Sequence, residues 1–141
     1  MADTDLLIRE YIKAFNERRL QDAADMFTHD AVIQHRPGSG PLKGPQGYLE
    51  SARMAISSFP DIRLQILHVE QRSDTVVEID ISATGTHLGD WTAGQLGTLK
   101  ATGQPKTFRV REALEIHGEK ITFSGLTYDL QNLLGQPGPR E

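Results

Sequence analysis

The chain has 141 residues, with 19 acidic and 15 basic side chains, a formal net charge of -4, five histidines and no cysteine. That length suits one domain, able to bury a core and to enclose a pocket. Mild acidity argues against nucleic acid as the partner, and the lack of cysteine removes disulfides, thiolate metal sites, iron–sulfur clusters and thiol nucleophiles.

The start of the chain carries Asp3, Asp5 and Glu10 rather than a basic leader, and no run reaches the length of a membrane span. The expectation is a soluble cytoplasmic protein. Leu7, Ile8, Tyr11, Ile12 and Phe15 recur at helical spacing, and Thr4 or Asp5 can cap that helix. Leu20, Ala23, Ala24 and Phe27 form a second, shorter stripe after the bend at Asn16 to Arg19. Ala31 to His35 reads as a short strand. The stretch from Pro37 to Gly47 holds four glycines and three prolines and reads as a loop. Pro45 suits the first turn of a third helix, which carries Tyr48, Leu49, Ala52, Ala55, Ile56 and Phe59 and stops at Pro60.

From Asp61 the pattern alternates. Ile62, Leu64 and Ile66 form one apolar set, and Val77, Ile79, Ile81 and Ala83 another. Phe108, Val110, Leu114 and Ile116 form a third, and Ile121 and Phe123 open a last strand to about Leu130. Helices first and strands later predict a single α+β domain over residues 1–141, with helices covering one face of a largely antiparallel sheet. Its ordered part is expected at about residues 4–134, with a flexible tail rich in glycine and proline from Gly135.

One residue breaks the third alternation. Position 112 falls on the apolar face between Val110 and Leu114, and it is Glu112. Counting by twos from Ile121 and Phe123 places Gly125, Thr127 and Asp129 on one face of the last strand. A two-residue type II′ turn at Gly118 and Glu119 would pair His117 with Lys120, Glu112 with Gly125 and Phe108 with Asp129. Glu112 and Asp129 would then face one space, roughly 13 Å apart along the ladder. A carboxyl group in apolar surroundings has a raised pKa and suits general acid–base work. The same two acids could instead be structural, paired with Arg109 or Arg111, and a register slip would put Glu112 in solvent.

Glu78 and Asp80 share a polar strand face with Ser82 and Thr84, which reads first as a solvated or subunit-facing surface. The sharper reading lines a hydrophilic pocket, with Asp80 and Asp129 flanking an arginine to open an epoxide. His29, His35, His68, His87 and His117 show no metal-ligand spacing, so no metal site is expected. His35 and His87 end strands beside glycine-rich turns and are candidate pocket residues. Tyr48 and Trp91 are further candidate contacts, Trp91 as pocket wall, core filler or partner contact.

Ile12-Lys13-Ala14-Phe15-Asn16 and Phe27-Thr28-His29-Asp30-Ala31-Val32 resemble the opening of the SnoaL-like polyketide cyclases. Gly85-Thr86-His87-Leu88-Gly89, Ala101-Thr102-Gly103, Gly118-Glu119-Lys120-Ile121 and the closing Tyr128-Asp129-Leu130-Gln131-Asn132-Leu133-Leu134-Gly135-Gln136 fit their middle and end. The resemblance spans about residues 5 to 137. It implies the cone of the nuclear transport factor 2 superfamily: a curved sheet wrapped by three N-terminal helices around a pocket, usually in a homodimer. It implies a small-molecule substrate, polyketide-like or otherwise apolar, and acid–base chemistry without metal or organic cofactor. The family's catalytic aspartate matches Asp129. Where these cyclases carry a pocket histidine, this chain has Glu112. The resemblance and the residue pattern together lead to the expectation of a cyclase or isomerase, with Asp129 and Glu112 as catalytic groups and His35, His87, Tyr48 and Trp91 as pocket polar groups or walls that contact substrate. Epoxide opening by paired carboxylates and a non-catalytic binding dimer are the alternatives.

Overall fold

The computed structural model describes residues 2–35, 40–92 and 98–128. Helix α1 spans Ala2–Asn16, α2 Leu20–Ala24 and α3 Gly44–Ser58. The strands are β1 (Phe27–Gln34), β2 (Leu42–Lys43), β3 (Arg63–Gln71), β4 (Val76–Thr86), β5 (Trp91–Thr92), β6 (Thr98–Leu99), β7 (Pro105–His117) and β8 (Lys120–Tyr128). Six of them form one curved sheet in the order β2-β1-β8-β7-β4-β3, and β5 and β6 form a separate pair. All the neighbours in the large sheet run antiparallel except β1 and β8. The expected α+β cone is what the chain forms.

The apolar stripe of α1 buries Ile8, Tyr11, Ile12 and Phe15, and that of α3 buries Tyr48, Leu49 and Ala52. Both press on the inner face of the sheet, where Ile33, Ile79, Ile81, Leu114 and Ile121 lie fully buried. Removing such side chains from water is the main stabilising term. The expected cap differs: α1 already begins at Ala2, so Thr4 and Asp5 lie inside it, and Asp5 bonds Arg9 one turn on. Phe27 belongs to β1 rather than to α2, because it pairs with Ile121 of β8.

Two devices fix α1 to the sheet. Asn16 donates its amide to the Leu64 carbonyl and accepts from the Leu64 N–H, which occupies backbone groups of the edge strand β3. Arg18 takes a left-handed conformation (φ 64°) at the end of α1 and donates to the carbonyls of Phe15, Pro60 and Ile62. The helix is thereby closed and tied to the α3–β3 connection.

Ladder irregularities occur at β1/β8, β3/β4 and β7/β8, where bulges bend a sheet. By contrast β4 and β7 pair without interruption from Val76↔Glu115 to Thr86↔Pro105. Among the described residues no helix is long and apolar enough to cross a membrane.

Gly44 opens α3 with φ +66°, and a Cβ there would sit 2.5 Å from the His29 carbonyl oxygen in the bulged part of β1. Both the backbone conformation and the close approach require glycine. Gly44→Ala is expected to lower unfolding free energy by about 2 kcal/mol. Urea denaturation measures it, and a loss within error of zero contradicts this account.

Candidate active site

Between α1, α3 and the inner face of β4, β7 and β8 lies a cavity. Phe15, Phe59, Trp91, Phe108 and Leu126 supply much of its apolar wall. Among the described residues the polar groups on that wall are few: Tyr11, His35, Tyr48, Ser51 and Glu112. An apolar cavity with a few convergent polar groups is the usual form of a small-molecule site.

Glu112 reaches this cavity because β7 alternates without a break from Lys106 to Ile116. It is 3% exposed and stands between Ile79 of β4 and Leu126 of β8. The Tyr11 hydroxyl donates to its Oε2 at 2.7 Å and the Ser124 hydroxyl donates to the same oxygen at 2.5 Å. Burial raises its pKa above the ordinary carboxyl range, and the two hydroxyl donors offset part of that rise. Tyr11 is held by contacts with Phe27 at 5.8 Å and Tyr48 at 5.7 Å between ring centroids. Burial and the Glu112 carboxylate push both tyrosines upward, so each stays a phenol that can donate.

His35 directly follows strand β1 and is buried against Ser51 of α3 and Ser124 of β8. Its Nδ1 lies 2.6 Å from Ser51 Oγ and its Nε2 2.6 Å from Ser124 Oγ. Burial pushes its pKa down to about 3, so the ring is neutral at ordinary pH. The 3.8 Å separation of Nε2 and Glu112 Oε2 is therefore not an ion pair; the Ser124 hydroxyl spans it. The donor inventory assigns the tautomer. Ser124 gives its hydrogen to Glu112, so it accepts from Nε2–H. Nδ1 then carries a lone pair and accepts from the Ser51 hydroxyl.

Of the residues expected from sequence, Glu112, His35, Tyr48 and Trp91 all line the cavity. His87 does not. It is buried behind the wall, stacked on Phe59 at 5.0 Å, and its Nε2 has no hydrogen-bond partner among the described residues. Asp129 and the tail from Gly135 lie outside the described residues. The expected alternation along β8 fails at one position. His117 pairs with Lys120 through the predicted turn, and Gly118 has φ +65°. Ile116 pairs with Ile121, but Glu115 then pairs with Phe123, so Thr122 is an extra residue. Glu112 consequently faces Leu126, not Gly125, and Ser124 replaces Gly125 on the inner face.

The epoxide-opening arrangement built on Asp80 is also corrected. Asp80 lies on the opposite face of the sheet from Glu112, where Arg111 binds it together with Glu70 and Glu78. The alternation of β4 dictates this, since Ile79 and Ile81 occupy the inner face. Tyr11, Ser51 and Ser124 were not singled out from sequence. Among the described residues no group of three His, Asp or Glu side chains is placed to hold a metal ion.

Residues 5–137 match the family described as SnoaL-like polyketide cyclase. A search of curated proteins gives no match. Among solved structures, AclR of Streptomyces galilaeus, a candidate hydroxylase, is 20% identical with a TM-score of 0.78, covering 100% of this chain and 85% of that one. IdmH of Streptomyces antibioticus, a candidate polyketide cyclase, is 22% identical with a TM-score of 0.78, over 99% of this chain and 100% of that one. A candidate SnoaL-like polyketide cyclase from Jannaschia sp. CCS1 is 10% identical with a TM-score of 0.81, over 99% and 94%. At these identities the likeness is one of fold.

The buried pair gives stability a two-sided pH dependence. His35 is depressed on folding, so the unfolded chain binds the extra proton and stability falls as pH drops from about 6.5 toward 3, by about 1.4 kcal/mol per unit at most. Glu112 is raised on folding, so its contribution is full at low pH and is lost as pH rises through its elevated range. Relative to the native chain, His35→Gln is expected to gain stability steadily on acidification and Glu112→Gln on alkalinisation. Urea melts from pH 4 to 9 measure both; variants whose stability runs parallel to the native chain at all pH values would refute the assignment.

Proposed function

The chain belongs to the SnoaL-like polyketide cyclase family, and from that premise we propose a cofactor-independent cyclase or isomerase that moves protons on a polyketide-like small molecule. The observation that carries this reading is Glu112: one carboxyl group, buried in an apolar cavity and held by two hydroxyls. Such a group has a pKa lifted toward the working range, which general acid–base catalysis requires.

In the proposed reaction a carboxylate takes a proton from carbon next to a carbonyl. The C–H electron pair moves into the carbonyl as an enolate. The enolate carbon then attacks a second carbonyl to close a ring, or takes a proton elsewhere and shifts a double bond. Asp129 is assigned the base role from the family's aspartate. Glu112 is assigned the complementary role, donating to the developing oxyanion when protonated. Tyr48 and Ser51 offer hydroxyls on the same wall, and Trp91, Phe59 and Phe108 offer flat apolar surface for a planar substrate.

Hydrogen–deuterium exchange at the α-carbon of a hydrophobic β-keto ester in D2O, followed by proton NMR, tests proton abstraction without knowledge of the natural substrate. Glu112→Gln and Asp129→Asn are each expected to slow enzyme-dependent exchange by about 10²-fold or more. Exchange at the native rate in both variants, each folded by circular dichroism, overturns the acid–base reading and favours a binding protein.

A further inference from the structure

Ser51 and Glu112 both open on the cavity, whereas Ser124, which links them through His35, is fully buried. The three contacts measure 2.6, 2.6 and 2.5 Å. With Glu112 ionised they order head to tail: Ser124 donates to Glu112, Nε2–H of His35 donates to Ser124, and Ser51 donates to Nδ1. A carboxylate acceptor at one end leaves this chain a single order, in which every hydrogen points toward Glu112, and its far end opens on the cavity at Ser51.

We propose that Ser51, His35 and Ser124 form a proton relay that connects two separate points of the cavity wall, so that a proton released by substrate at the Ser51 hydroxyl ends on an ionised Glu112 and gives it the protonated form in which it donates to the oxyanion. This rests on the acid–base reading of the cavity. The transfer balances. A substrate C–H or O–H bond breaks, leaves its electron pair on the substrate, and its proton bonds to Ser51 Oγ. Ser51 passes its own hydrogen to Nδ1, Nε2 passes its hydrogen to Ser124, and Ser124 passes its hydrogen to Glu112. The substrate becomes the anion and Glu112 the neutral acid, and His35 is left as the other neutral tautomer. Tyr11 keeps its proton and continues to donate to Oε2. The protonated Glu112 can deliver its proton at its own point of the wall, and the reverse sequence returns it at Ser51, in both cases without bulk water.

The surroundings suit a neutral relay. Among the described residues the titratable groups that face Glu112 are Tyr11 from α1, Tyr48 from α3 and His35 after β1. β4 faces it with Ile79, and β8 with Ser124 and Leu126. Burial keeps the imidazole from holding two protons, so it can pass one only by exchanging tautomers. Ser51 lies within α3, whose interior N–H groups are engaged in the helix, so the backbone around it offers no N–H to an oxyanion. Its role is proton transfer and not nucleophilic attack.

The test needs no substrate. In the full chain labelled with 15N-histidine and 13C-glutamate, NMR follows the His35 ring nitrogens while pH is carried across the Glu112 titration. With Glu112 ionised, Nε2 is expected to carry the hydrogen. As Glu112 takes up its proton, His35 is expected to switch to the Nδ1–H tautomer at the same midpoint, without becoming imidazolium. In Ser124→Ala the tautomer is expected to stop following Glu112, which still titrates. Glu112→Gln serves as a second variant of nearly native shape, and its His35 is expected to keep one tautomer over the same range. A native His35 that holds one tautomer throughout, or that takes a second proton in that range, overturns the relay. So does a switch that persists in either variant. If the relay fails while Glu112→Gln still abolishes carbon-acid exchange, Glu112 acts alone and the acid–base reading stands.

Discussion

The cavity is organised by one unfavourable act, the burial of a carboxyl group that has no cation beside it among the described residues. Among the described residues Glu112 has only neutral partners: two hydroxyl donors on Oε2 and a histidine that burial holds uncharged. An ionised carboxylate placed this way is costly, and hydrogen bonds recover only part of that cost. The group is therefore poised between its two forms rather than locked in one. An arginine in place of Tyr11 would have stabilised the charge and removed the acid.

That requirement reaches through most of the fold. The groups around Glu112 come from four elements: Tyr11 from α1, the residue following β1, Ser51 from α3 and Ser124 from β8. None of these is near another in sequence, so the helices must dock at fixed depth for the network to close. The Asn16 bracket on Leu64 and the Arg18 clasp on the α3–β3 connection set α1. Gly44 sets α3 by letting its first turn meet the β1 carbonyls at a distance no side chain allows. Each of these anchors lies outside the cavity lining, yet each positions a group inside it.

The sequence shows Glu112 plainly, because a single carboxylate interrupts an alternation that is otherwise apolar from Phe108 to Ile116. It shows the three helices for the same reason, as stripes of fixed period. Ser124 is hidden by the extra residue at Thr122, which reverses the parity of β8. The trace of that reversal is present: Ile121 and Phe123 favour one parity, Leu126 and Tyr128 the other, and only a bulge reconciles them. Ser51 leaves no such trace. On a helix a serine beside Ala52 reads as an ordinary small residue, and its importance comes entirely from what β1 delivers opposite it. Tyr11 is legible as core but not as a donor, since nothing local says where its hydroxyl ends.

Arg111 and Glu112 make the point about register most sharply. They are adjacent in sequence and occupy opposite faces of β7. Outside, Arg111 gathers Glu70, Glu78 and Asp80, and it holds the Glu78 carboxyl below its ordinary range. Inside, one residue along, the Glu112 carboxyl is driven upward by burial. The same functional group is fixed as an anion on one side of the sheet and kept protonatable on the other. A slip of one residue would bury the guanidinium in the cavity and expose the acid. The ladder between β4 and β7 is the one long pairing of this sheet that runs without a shift, whereas β3 and β8 both carry bulges. Curvature is thus taken up on either side of these two strands. The pair on which the proton chemistry depends keeps an unbroken count from Val76 to Thr86.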